Sequence, residues 1–178
     1  MNEQSEGKKQ AKVETMNKIS SYIILLFTAL LACSCAPDQT GRVVWLSYQE
    51  SSSAIYPTVY YDFQQEADGT YTLINCADHS PEEAQIAIVP AEIAERLSEI
   101  VAAERMSRYK ADYRPLTDVR DGVSWNLSIA LDDERTISSS GYAKRPRGKG
   151  LQRLEDYLNE VWEGVKDSAV TVNLYEKY

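Results

Sequence analysis

Few side chains in this sequence are suited to catalysis, and those few are scattered. The chain has one histidine, His79, which lies in a polar loop. A serine hydrolase brings a nucleophile, a histidine and an orienting carboxylate together. The serine run Ser138–Ser140 lacks the G-x-S-x-G elbow and has no histidine nearby in sequence. One histidine also excludes a multi-histidine metal centre within one chain. We therefore predict no catalytic residue, no cofactor and no metal site, and interpret the protein as a non-enzyme.

Carboxylates offer a second kind of chemistry. Asp118 and Asp121 flank Val-Arg in a long loop, and Asp132 and Asp133 lie in a turn. An EF-type calcium loop needs more oxygen ligands and a closing Glu, so a solvated loop and a turn are the better interpretation. Two distant carboxylates that meet only in the folded chain remain an alternative. That alternative is a carboxylate-dependent hydrolase of envelope or dietary polymers.

The strongest local feature is a cationic run in an acidic protein. The segment KRPRGKG holds Lys144, Arg145, Arg147 and Lys149 directly before a predicted helix, whose N-terminal amides favour anions. We predict a binding loop for an anionic ligand, such as a phosphate, a carboxylate or a lipid headgroup, or for an envelope protein. The alternative is a loop whose positive charge only balances the negative charge of nearby Asp and Glu. The net charge of -8 argues against nucleic acid as a partner, because Lys and Arg supply most of that affinity.

The only long apolar run lies near the N-terminus. Residues 23–33, IILLFTALLAC, contain no charge and follow Lys18. As a helix they would span roughly 16 Å, against about 30 Å of bilayer hydrocarbon. The run is too short for a membrane span and has the length of a signal-peptide core. Met1 and Met16 are both possible starts.

The end of this run resembles the lipobox of bacterial lipoproteins. Leu30, Leu31, Ala32 and Cys33 match an aliphatic residue, a tolerant position, a small residue and the modified cysteine. The resemblance implies cleavage before Cys33 and attachment of lipid to that residue. It implies a protein anchored in the bacterial cell envelope, most simply in the outer membrane and facing the periplasm or the cell surface. The alternative is an apolar N-terminal helix packed in the domain.

This boundary divides the chain into three parts. Residues 1–32 form an N-terminal extension and signal peptide, residues 33–41 a tether, and residues 42–178 a single domain. Cys35 and Cys76 are the remaining cysteines. They could form a disulfide in an oxidising compartment, or Cys76 could be a small buried hydrophobe.

Hydrophobic periodicity predicts an α+β fold. Alternating stretches predict an antiparallel sheet of about five to seven strands, with Ile74 and Cys76 pointing inward. Apolar stripes predict two main helices, one following Pro90 and one in residues 151–165, packed on one face of the sheet. The other face is left to solvent, and Tyr60, Asn126 and Ser128 are its predicted members.

The C-terminal part carries a second resemblance. Residues 121–162 resemble small uncharacterised lipoproteins of Bacteroidetes-like bacteria, which implies a fold and a location but no activity. The matching residues are Trp125, Leu127, Ile129, Ser140, Gly141, Pro146, Leu151, Leu154, Tyr157 and Leu158. We expect a membrane-anchored lipoprotein with a small binding or protein-interaction domain. The alternatives are the hydrolase and an inhibitor-like module that masks a partner protein.

Overall fold

Strands form where β-branched and aromatic residues alternate with polar ones. The computed structural model describes residues 41–52, 57–77 and 80–177. In the strand Ser124–Leu131, for example, Trp125 and Leu127 are buried while Asn126 between them is exposed. The strands are β1 (Val43–Ser51), β2 (Val59–Gln65), β3 (Tyr71–Asn75), β4 (Ala84–Val89), β5 (Asp112–Tyr113), β6 (Ser124–Leu131), β7 (Thr136–Tyr142) and β8 (Val170–Val172).

The strands form one sheet in the order β5-β7-β6-β1-β2-β3-β4-β8. Every neighbouring pair is antiparallel except β5 and β7, which are parallel. The α+β class is confirmed, but the prediction of five to seven antiparallel strands was too small and missed the mixed edge. β5 is the physical reason, because a two-residue strand inside a long loop has no alternation to detect.

Two helices cover one face of the sheet, as the stripes predicted. They are α1 (Glu92–Ala103) and α2 (Gly150–Val165); a short α3 (Leu174–Lys177) and three single 3₁₀ turns complete the described elements. Leu97 of α1 and Leu158 of α2 have no exposed surface, and both belong to one core with Tyr48, Phe63 and Leu127 of the sheet. No helix in the described ranges is both long and apolar enough to cross a membrane.

β3 is buried on both faces, which corrects one prediction. Tyr71 and Leu73 belong to the core under the helices, whereas Ile74 and Cys76 form a smaller cluster on the opposite side. All five residues of β3 are buried. Alternation therefore could not tell which face meets the helices.

The face away from the helices is largely polar around β6. Asn126 is exposed and Ser128 is half-buried there, in agreement with the prediction. Tyr60 is also partly buried, but it packs against the smaller apolar cluster instead of lying in an open polar face.

Candidate functional site

Two loops lie together at the end of the sheet where β7 ends and β6 begins. Register pairs Ser124 with Tyr142 at this end. The backbone N–H of Gly122 donates to the Tyr142 hydroxyl at 3.0 Å, and that hydroxyl donates to the Val119 carbonyl at 3.2 Å. The Lys144 ammonium donates to the Arg114 carbonyl at 3.2 Å. Residues 110–123 and 143–149 thus form one surface, named here the basic end.

Positive charge is concentrated at the basic end. These two segments hold seven of the 19 Lys and Arg residues but only three of the 27 Asp and Glu residues. The rest of the chain is therefore strongly acidic. Such asymmetry creates a local positive potential that attracts anionic groups.

Trp125 anchors the basic loop 143–149 to the core. Its indole Nε1 donates to the Lys144 carbonyl at 2.7 Å, and its side chain is 1% exposed. Gly141 permits this approach, since a Cβ there would overlap Nε1 and lie 2.5 Å from the same carbonyl. Trp125 and Gly141, which carry part of the lipoprotein resemblance, therefore have a structural role.

Arg145 is tied to the domain by an ion pair, although its side chain is 43% exposed. Its guanidinium pairs with Glu50, whose carboxylate also accepts the Tyr48 hydroxyl. The Glu50 side chain is 8% exposed, so the pair is shielded from water on the carboxylate side. Burial, and then the hydrogen bond to Glu50, raise the pKa of Tyr48 above its ordinary value. Arg145 is thus the residue that closes a buried polar cluster.

Arg147 and Lys149 differ from Lys144 and Arg145 in their contacts and not in exposure, because all four cations are exposed. Neither Arg147 nor Lys149 makes an ion pair with any residue in the described part of the chain. Gly148 between them has a positive φ of 99° and open space around it. Of the four predicted residues, Lys144 and Arg145 hold the loop, and Arg147 and Lys149 are available to a ligand.

An exposed apolar group also lies at the basic end, and sequence reasoning missed it. Leu116 is fully exposed, and Val123 and Tyr142 are 40% and 37% exposed. A cavity of about 470 Å³ lies between residues 114–119 and Tyr142. Leu116 follows Pro115 in a loop without hydrophobic periodicity. The one signal in the sequence is a single leucine within an otherwise polar segment.

Glu155 of α2 joins the buried cluster below the basic loop. Burial raises its pKa above the ordinary value, and the negative charge of Glu50 raises it further, while Arg145 opposes both. Glu50 and Glu155 are thus two carboxylates that the fold brings close together, and the sequence had singled out neither. Glu50 is already bound by Tyr48 and Arg145, so this cluster is better suited to holding the loop than to attacking a substrate.

A pH-dependent stability follows from Glu155. Because its pKa is raised on folding, the folded state binds more protons, so stability falls as pH rises above the ordinary Glu range. We expect Glu155→Gln to raise the free energy of unfolding at pH 7 and to remove part of this fall. Below the ordinary Glu pKa the two proteins should be alike. Urea unfolding from pH 3.5 to 8 measures the difference.

The exposed neighbour Asp156 supplies the control for this prediction. Asp156→Asn removes the same charge one residue away and should change stability by less than about 0.5 kcal/mol. A Glu155→Gln profile parallel to that of the wild type would contradict the assignment.

The carboxylates and the serine that were weighed for chemistry and set aside are not drawn into one place. Asp132 accepts the Arg42 backbone N–H at 2.8 Å, and Asp133 pairs with Arg135 at 2.6 Å. Ser139 is buried and donates to the Lys110 carbonyl at 2.6 Å, a structural contact. The described residues contain no group of three or more His, Cys, Asp or Glu arranged to hold a metal.

Of the three cysteines and the histidine, the structure describes only Cys76. Cys33, Cys35 and His79 lie outside the described residues. Cys76 is 3% exposed, within the smaller apolar cluster. Lipid attachment at Cys33 and a disulfide from Cys35 to Cys76 stay predictions.

No protein-family model matches this chain, and no curated protein matches it.

Proposed function

We propose that this protein is a lipid-anchored protein of the bacterial cell envelope. Its domain binds anionic groups on an envelope protein and does not catalyse a reaction. The observation that carries the proposal is the basic end, with Arg147 and Lys149 exposed on one of its two segments and Leu116 uncovered on the other. A surface that carries both exposed cations and an exposed apolar side chain suits an acidic protein partner. The charges steer the encounter, and the apolar contact slows dissociation.

The start of the domain lies far from the basic end, which supports a partner away from the anchoring bilayer. Arg42, at the start of the domain, is bound to Asp132 at the end of the sheet opposite the basic end. β1 runs from there to Ser51, a distance of about 27 Å for its nine residues. The tether, residues 33–41, reaches at most about 30 Å when extended. The basic end therefore lies at the far end of β1 from the point where the tether joins the domain.

The buried cluster gives the basic end a defined shape. Trp125 and Glu50 hold Lys144 and Arg145 from two sides, so the loop does not have to be ordered when a partner arrives. Pre-organisation of this kind lowers the entropy cost of association. It supports binding as the function of the loop.

Photocrosslinking in cells tests the proposal with the full-length protein. A photoreactive amino acid at the exposed Thr117 should give a discrete protein adduct. The double substitution Arg147→Glu and Lys149→Glu should reduce that adduct at least about tenfold, since each replaces an attraction by a repulsion. Quantitative immunoblotting of the adduct is the measurement.

Arg96 and Lys166 provide a matched control. Both are exposed cations on the helical side, and each forms only a surface pair, with Glu99 and Glu163. Arg96→Glu with Lys166→Glu makes the same change in net charge and should leave the adduct intact. The absence of a discrete adduct, or equal loss in both double variants, would overturn the proposal.

A further inference from the structure

A groove at the other end of the sheet is the feature with the best-defined ligand chemistry outside the basic end. It has a volume of about 650 Å³, within the range of roughly 300–1,000 Å³ typical of ligand sites. Two hairpins flank it, the β2–β3 turn and the β6–β7 turn. Its principal lining residues are Trp45, Gln64, Gln65, Glu66, Gly69 and Asp132.

Trp45 offers a ring face and a donor on the side of the sheet away from the helices. It pairs across the sheet with Gln64 and with the small Ala130. A register shift between Val43 and Trp45 makes a bulge, a device that redirects side chains. Trp45 is half-buried, unlike the buried Trp125 and Trp162. No residue in the described ranges accepts a hydrogen bond from its indole N–H.

The polar groups around Trp45 are held in place before any ligand binds. The Glu66 carboxylate accepts from Gln64 Nε2 at 2.7 Å and from Thr72 Oγ1 at 3.0 Å. Asp132 accepts the Arg42 backbone N–H at 2.8 Å. Each carboxylate has two oxygens with about four lone-pair sites between them. Acceptors that are already oriented cost less to use on binding.

We propose that this groove binds a neutral saccharide. An aromatic face suits the apolar C–H side of a sugar ring, and the indole N–H, the Gln64 and Gln65 amides and the two carboxylates suit its hydroxyl groups. The lining contains Glu66 and Asp132 but no Lys or Arg, so it disfavours anions. With one aromatic wall it also lacks a cage for a quaternary ammonium ion.

This site is distinct from the basic end. It lies at the opposite end of β1, and its lining charge has the opposite sign. The saccharide proposal therefore does not depend on the proposed function, and either can fail alone.

Tryptophan fluorescence of the full-length protein in mild detergent tests the proposal. Trp45 is the one half-buried tryptophan of the three in the chain, so a ligand in the groove should change its emission. We use cellohexaose, maltohexaose, mannohexaose and chitohexaose as neutral probes, with tetramethylammonium and oligogalacturonate as cationic and anionic controls. We expect saturable binding of at least one neutral probe. Trp45→Ala should weaken its affinity at least about tenfold, as measured by calorimetry, because the apolar contact between the indole and the sugar ring is lost.

Two further variants keep the test independent of folding. Asp132→Asn preserves an acceptor for Arg42 but removes the negative charge, and should weaken the same probe at least about threefold. Trp162→Phe, in the core of α2, should leave affinity unchanged. The proposal is overturned if no neutral probe binds, if only tetramethylammonium or oligogalacturonate binds, or if neither Trp45→Ala nor Asp132→Asn weakens binding.

Discussion

Cys33→Ala is expected to abolish incorporation of fatty acid into this protein. Thioether formation needs the cysteine sulfur, and alanine has no nucleophile to replace it. Each buried methylene contributes about 0.8 kcal/mol to membrane binding, so an anchor of two or more acyl chains holds a protein stably. Without the lipid the protein should move from the membrane to the soluble fraction or remain as an uncleaved precursor. Metabolic labelling with an alkynyl fatty acid, followed by in-gel detection, measures the loss.

Cys35→Ala is the matched control, because it removes a thiol two residues away. We expect it to label like the wild type, since Ala32, Cys33 and Ser34 before it fit the lipobox pattern poorly. Equal labelling of Cys33→Ala and the wild type would refute anchoring at this residue. Loss of labelling in Cys35→Ala alone would move the anchor to Cys35.

The elements with long apolar patterns could be predicted from the sequence, because the buried residues in them recur at the period of a helix or a strand. The stripe through Leu151, Leu154 and Leu158 identified α2, and the alternation from Trp125 to Leu131 identified β6. Two kinds of element escaped. β5 is too short to have a period, and β3 is buried on both faces, so its inward side depends on what the rest of the chain packs against it.

The candidate sites depend on contacts that are distant in sequence. The cationic run identified Arg145 and Arg147 equally, but Glu50, 95 residues before Arg145, pairs with Arg145 and not with Arg147. The groove around Trp45 needs the bulge at Val44 and the approach of two hairpins. Composition can indicate which residues are available for binding, but register decides which of them meet.

Gly141→Ala is expected to destabilise the domain by about 3 kcal/mol, the upper end for overpacking. The added methyl would overlap Trp125 Nε1, and it would lie 2.5 Å from the Lys144 carbonyl oxygen and 2.7 Å from Trp125 Cε2. One of these neighbours is backbone and the other is a buried indole, so neither can give way cheaply. Relief would require breaking the bond from Trp125 to Lys144. Urea unfolding followed by fluorescence measures the change.

Gly164 supplies a control with the opposite sign. It lies inside α2, and a Cβ there would meet nothing within 4 Å. Gly164→Ala should stabilise the protein by about 0.5–1 kcal/mol, since alanine loses less backbone entropy in a helix. In a double variant, Trp125→Phe should offset part of the Gly141→Ala cost, because the smaller ring removes Nε1 from the overlap. A Gly141→Ala effect below about 0.5 kcal/mol would mean that the basic loop is not held against Trp125, and would also weaken the case for a pre-organised basic end.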